Sequence, residues 1–418
     1  MTRPTVLVRM ADAGDIYVSW RWVDDSAPRG AGVLPEDAAM RAVALLTGAL
    51  PHPAEPGGLE RALTTGAFAD YEREYFVAQE LSRALLPYGL AAQLYELWQR
   101  GVRPHIRLQP SPRVAQVPWE IIAPDRDVRL IDIADVSLLA AASVVQAPGR
   151  IARTWTDTAA GPVVAVLDPR VPGFRADSTL GSVLGRMTAE APLAQRMAEY
   201  AANGRLRPAA PDPVAAFRRT DVDRHWLGAV LRAGASRLIY VGHVSAAAPE
   251  SGRSEDAQLH LACTADAVGF AEPARTHRPL SAKDLLLGTH TLDADPVAGA
   301  RLWPMPSRVA LIACESGGDL RFSEALGLTA AMITGGAELV TAGRWALPTD
   351  FAFRRVAGAP AHALPLQEAV CAIDAAHEQP DPVTALAAWQ RDRMTAWRDT
   401  GRIEHSPVLW AAFATVCA

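Results

Sequence analysis

Four short apolar runs, each ending in turn chemistry, constrain this chain more than any other feature. They are PVVAVLDP (162–169), SRLIYVGHVS (236–245), SRVALIACESGG (307–318) and ELVTAGRW (338–345). An uninterrupted apolar run has no polar face, so as a strand it must be covered on both sides. Helix-patterned stretches separate the runs. They include residues 177–204, ending at Gly204; 213–235; the short SAKDLLLG, with Ser281 as its cap; and RFSEALGLTAAMITGGA. This alternation predicts an α/β architecture with a mostly parallel central sheet flanked by helices.

The N-terminal third has a different rhythm. VLVRMADAGDIYVSWRW reads as two strands joined at Ala11–Asp15. Helical patterns follow at PEDAAMRAVALLTGAL, ADYEREYFVAQELSRALLP and AAQLYELWQRG. RPHIRLQP alternates as a strand does, VPWEIIAP reads as a short strand with an exposed tryptophan–proline corner, and RLIDIADVSLLAAASVV reads as a further strand and its return. A boundary is expected near Gln146–Trp155, where Pro148 and Gly149 break the pattern. The division expected is an α+β lobe over 1–150, offering a partner or regulatory surface, followed by a domain over 151–418. A chain of 418 residues is long for one core.

Charge and composition exclude several classes. The formal charge of −5 provides no basic field, so nucleic acid is not an expected partner. Lys283 is the only lysine among 41 basic residues, which fits a GC-rich genome better than a function. The four cysteines, Cys263, Cys314, Cys371 and Cys417, have no CxxC or Cys/His ligand spacing, so no metal is expected. Sparse cysteines, no signal-like start and no apolar stretch near ~18 residues together lead to an expectation of a cytoplasmic protein with no membrane partner. GxSxG, GxGxxG and P-loop patterns are absent, and no cofactor is expected.

Chemistry concentrates at two strand ends. Open parallel sheets place sites beyond the carboxyl ends of their strands. His243 follows RLIYVG and Cys314 follows VALIA, so neighbouring strands would bring both to one rim. A thiol needs a nearby imidazole to become thiolate at neutral pH, and its acyl transfer needs backbone N–H donors. Gly242, Val244 and the turn beginning at Glu315 are candidate suppliers of those donors. The residues alone leave a second reading open, in which Cys314 is a small core residue and His243 a satisfied structural one. Other positions are equally two-sided. Asp350 could pair with a basic substrate side chain or sit in a turn. Arg344 could favour an acidic one or lie at a sheet edge. Asp168 could line the rim or cap a turn, and Glu315 could orient the cysteine turn or be solvated. Trp119, Trp303 and Trp345 read as packing residues. The segment Ser245–Pro279 is the least regular, and a loop of that length beside a strand end is usually functional.

Several of these segments, in order, resemble the CHAT proteases, caspase-like cysteine peptidases of the clan that also holds caspases and separase. RLQPSPRVAQVPWEII resembles the family's strand and Pro-aromatic-Glu segment, and VVAVLDPR its first core strand. LIYVGHVS is similar to its catalytic-histidine strand, LSAKDLLLG to the helix before the cysteine strand, and VALIACESGG to its Ala-Cys-Glu-Thr/Ser motif. GLTAAMITGGAELVTAGRWALPTD resembles the helix, turn and strand beyond. The resemblance implies a caspase-like three-layer fold, with His243 as general base and Cys314 as nucleophile in peptide-bond hydrolysis through an acyl-enzyme. It also implies a protein or peptide substrate, an activator or sensor acting in trans, and a role in bacterial defence. The family usually has glycine directly after the histidine, and here that position is Val244. The departure leaves a second expectation standing, a weak or inactive pseudoprotease that binds a peptide or partner as a scaffold.

Overall fold

The computed structural model of the chain describes residues 3–23 and 28–418. The chain forms two compact units. The first comprises Met1–Leu139, Trp345–Pro365 and Asp381–Thr415, and the second Ala140–Arg344, Leu366–Pro380 and Val416–Ala418. The division is thus not a single cut near residue 150, because the chain leaves and re-enters the first unit after its last core strand.

In the first unit, β1 (Thr5–Ala13) and β2 (Asp15–Trp22) form an antiparallel hairpin. Gly14 turns it with φ of 78°, a left-handed conformation that glycine adopts without steric cost. β3 (Arg29–Leu34) extends the hairpin, while β4 (His105–Gln109) and β5 (Asp135–Leu139) add parallel strands on the other side of β1. Burial alternates along β2, as expected where one sheet face packs and the other is wet. The three expected helices are Glu36–Ala49, Tyr71–Leu85 and Tyr88–Gln99. Asp70 caps the second by accepting from Arg73 N at 3.0 Å. VPWEIIAP is not a strand. Trp119–Ile121 is a single 3-10 turn, and Trp119 is buried, because the segment doubles back into the core.

The second unit carries the four runs as a parallel sheet. β6 (Val163–Leu167) pairs with β7 (Leu206–Arg207) on one side and β8 (Arg237–Val241) on the other. β8 continues to β12 (Arg308–Ile312), and β12 to β13 (Leu339–Gly343). Every residue of β6, β8, β12 and β13 is buried, so the sheet is covered on both faces. The intervening helices are Pro192–Ala202, Arg224–Arg232, Ala282–Leu287 and Leu328–Thr334. The expected helix over 177–204 begins only at Pro192, and residues before it form turns. Within Ser245–Pro279 lie parts of a small antiparallel sheet of order β11-β10-β9, from β9 (Val244–Ser245), β10 (Gln258–Leu259) and β11 (Leu280–Ser281).

Candidate active site

The register of the parallel sheet sets the site. Val241 of β8 pairs with both Leu167 of β6 and Ile312 of β12. Asp168, Gly242 and Ala313 are therefore the next residues on three adjacent strands, and His243 and Cys314 each follow one position later at the same carboxyl rim. Gly242 N donates to Ile312 O at 3.3 Å, extending the ladder one step past the strands. Its amide is thus used in the sheet, and what Gly242 contributes is room. A Cβ there would lie 2.9 Å from the Tyr240 hydroxyl and 3.3 Å from Pro169.

His243 is half-buried, and its Nε2 lies 3.1 Å from Gly181 O. A carbonyl only accepts, so Nε2 carries the proton and Nδ1 holds the lone pair. Burial lowers the imidazole pKa from its ordinary value. The Gly181 carbonyl and the Asp168 carboxylate pull it back up, and Arg218 pushes it down. The ring is accordingly a neutral base at pH 7. Its backbone is fixed as well, because the Tyr240 hydroxyl donates to His243 O at 2.6 Å.

Asp168 is buried with φ of 50°. Its carboxylate accepts from Ser182 Oγ at 2.5 Å, Val183 N at 3.1 Å and Arg218 Nη1 at 3.2 Å. Asp168 therefore holds the turn that carries Gly181, and acts on His243 through it. The amides of Val183 and Leu184 go to this buried carboxylate, so the chain there forms a turn and no helix. Gly181 itself left no trace in the sequence, since any residue carries a carbonyl.

The cysteine turn is pinned by Ser316. Its hydroxyl donates to Leu311 O at 2.6 Å and accepts from Gly343 N at 2.8 Å. Gly317 N donates to Gly343 O at 2.9 Å, so β12 and β13 share the turn. Glu315 takes the left-handed conformation with φ of 51°, and its carboxylate pairs with Arg321 at 2.8 Å. Beside that pair, residues including Ala246, Ser254, Asp319 and Phe322 leave a cavity of about 10 Å³, roughly the space of a single water, lined by neither Cys314 nor His243. Cys314 is half-buried and reduced.

Val244 opens β9. His260 N donates to His243 O at 3.2 Å, which makes His243 and His260 the bonded pair of the β9–β10 ladder. Bonded and unbonded pairs alternate, so Val244, opposite Leu259, turns its N–H away from β10. The extended backbone there suits a β-branched residue, and no glycine conformation is required.

The remaining expected residues lie elsewhere. Arg344 directly follows β13 in the same unit and is buried. Asp350 belongs to the other unit, where it is buried in the first turn of the helix Asp350–Ala357, capped by Thr349. No cluster of potential metal ligands occurs among the described residues, and no helix among them is long and apolar enough to cross a membrane.

Comparison with known proteins gives a family and a fold. A family model described as the CHAT domain matches residues 76–418. No curated protein matches the chain. Among solved structures, one of the Saccharomyces cerevisiae separase–securin complex aligns at a TM-score of 0.51 with 9% identity, covering 100% of this chain and 30% of that one. A second structure of the same complex gives 0.43 and 10%, covering 99% and 30%. The likeness is one of fold, and this chain spans under a third of the matched chain's length.

Proposed function

The chain belongs to the CHAT-domain family, and from that premise we propose that it is a caspase-like cysteine endopeptidase with Cys314 as nucleophile and His243 as general base. The observation that carries this reading is the exit of both residues from in-register neighbouring strands, with His243 Nε2 committed to Gly181 and Nδ1 left as the base. In the reaction, His243 Nδ1 takes the thiol proton as sulfur attacks the scissile carbonyl. The Val244 amide donates to the developing oxyanion, and the imidazolium returns the proton to the leaving amine. Water then hydrolyses the acyl-enzyme by the same route.

The substrate proposed is a protein, met in the cytoplasm and as part of a bacterial defence or signalling system. The separase–securin complex, an assembly of two proteins, supports a macromolecular ligand. Regulation by an activator acting in trans is part of the same proposal and rests on the family likeness.

Iodoacetamide labelling of each cysteine at pH 7, read by peptide mass spectrometry, tests the dyad. Cys263 is buried with its pKa raised, and burial pushes Cys371 up to about 12, so both should react slowly. Cys314 is expected to label at least ten times faster than either, and to lose that advantage in His243→Ala. Equal rates with no effect of His243 would point instead to a binding cleft without catalysis.

A further inference from the structure

Behind His243, inside the segment that the sequence marks as least regular, two buried histidines form a chain with a surface serine. Ser245 Oγ lies 2.8 Å from His260 Nε2, His260 Nδ1 lies 3.1 Å from His277 Nε2, and His277 Nδ1 lies 2.8 Å from Cys263 O. The rings are 5.2 Å apart and tilted by 35°. Both histidines are buried, and Ser245 is exposed on β9.

The direction of every proton in this chain is fixed from its inner end. Cys263 O can only accept, so His277 Nδ1 carries hydrogen. A neutral His277 then accepts at Nε2, so His260 carries its hydrogen on Nδ1 and accepts at Nε2. Only the Ser245 hydroxyl can supply that last bond. Burial lowers both imidazole pKa values, that of His260 to about 3, which keeps both rings neutral as this pattern requires. The result is an exposed hydroxyl directed at the lone pair of an imidazole whose far nitrogen is held by a second imidazole. That is the bonding logic of a serine nucleophile, its base and its orienting group.

We propose that Ser245, His260 and His277 form a second nucleophilic site, one that accepts an acyl group from an activated ester. The Ser245 oxygen bonds to the acyl carbon while its proton passes to His260 Nε2. The His260 Nδ1–H stays bonded to His277 Nε2. The tetrahedral intermediate then expels the alcohol or phenol oxygen, which leaves with the proton from His260. The product is an O-acyl serine, with no change of oxidation state.

The test uses the full chain carrying Cys314→Ala, which separates the outcome from the peptidase reading. The protein is treated with p-nitrophenyl acetate, and acetylation is mapped by peptide mass spectrometry. Ser251 and Ser323, both exposed, are the internal references. Ser245 is expected to acetylate at least tenfold faster than either, with Ser245→Ala removing the adduct and His260→Gln bringing Ser245 to the reference rate. A Ser245 no faster than Ser251 and Ser323 overturns the proposal, and so does an unchanged rate in a folded His260→Gln. If that variant fails to fold, the comparison among the three serines in the parent protein decides alone.

Discussion

His243 is gripped at one ring nitrogen and left open at the other, and the charges behind it set when the open one works. The Asp168 carboxylate favours the imidazolium, whereas Arg218 opposes it, and burial outweighs both. The acid limb of Cys314 reactivity should therefore fall below the ordinary histidine value of about 6.5. Asp168→Asn removes a raising influence and should move that limb to lower pH. Arg218→Gln removes a lowering one and should move it to higher pH. Alkylation rates of Cys314 against pH in the three proteins check this, and shifts of the same sign in both variants would show that the loop's position matters and its charges do not. At this scale the sequence was informative about side chains at strand ends: His243, Cys314 and Asp168 all come to one rim. It was silent on Gly181, which acts through a carbonyl. It also left Ser316 as one of several small residues, because its two hydrogen bonds depend on how β13 lies beside β12.

Among the elements, legibility followed length and burial. β6, β8, β12 and β13 could be read because each is a continuous apolar run buried on both faces. β9, β10 and β11 are only two residues each, too short for any periodicity, and long-range pairing defines them. The question attached to Val244 also turns on this pairing. Its amide faces away from β10, so replacing it tests the oxyanion donor without breaking the ladder. Val244→Gly keeps the N–H and should leave kcat nearly unchanged. Val244→Pro removes the N–H, and the loss of one such donor is expected to lower kcat by about 10²–10³-fold. Proline is tolerated at strand positions whose N–H is not paired, so thermal unfolding should move little. Peptidase assays of both variants, with melting temperatures alongside, give the comparison. A proline variant as active as the glycine one would remove Val244 from the oxyanion site.

For the whole molecule, composition and rhythm indicated two bodies but not how the chain is shared between them. A cut near residue 150 looks natural because Pro148 and Gly149 interrupt the pattern there, yet the helix Pro382–Thr400 belongs with the N-terminal residues. Its Arg391 pairs with Asp135 at 2.6 Å, and its buried Trp397 lies 3.4 Å from the Glu74 carboxylate, itself paired with Arg129 at 2.8 Å. The second unit likewise depends on late residues: Arg237 of β8 meets Asp374 at 2.6 Å, and Arg308 of β12 donates to His377 O and Gln379 O, each at 2.6 Å. A fragment of residues 151–418 would keep the Arg237 pair but leave Trp397 and Arg391 without their partners. Trp397, fully buried in the whole chain, would be uncovered with the apolar face around it, and an exposed apolar patch of that kind is an aggregation liability. The fragment should therefore be insoluble or lack a cooperative melting transition, and co-expression with residues 1–150 should recover a soluble complex. A fragment ending at Arg344 should fail for the opposite reason, since it removes Asp374 and the carbonyls that hold Arg308. Should residues 151–418 alone melt cooperatively with Cys314 as reactive as in the full chain, the returning helix would be an appendage, and the single cut would describe the folding units after all.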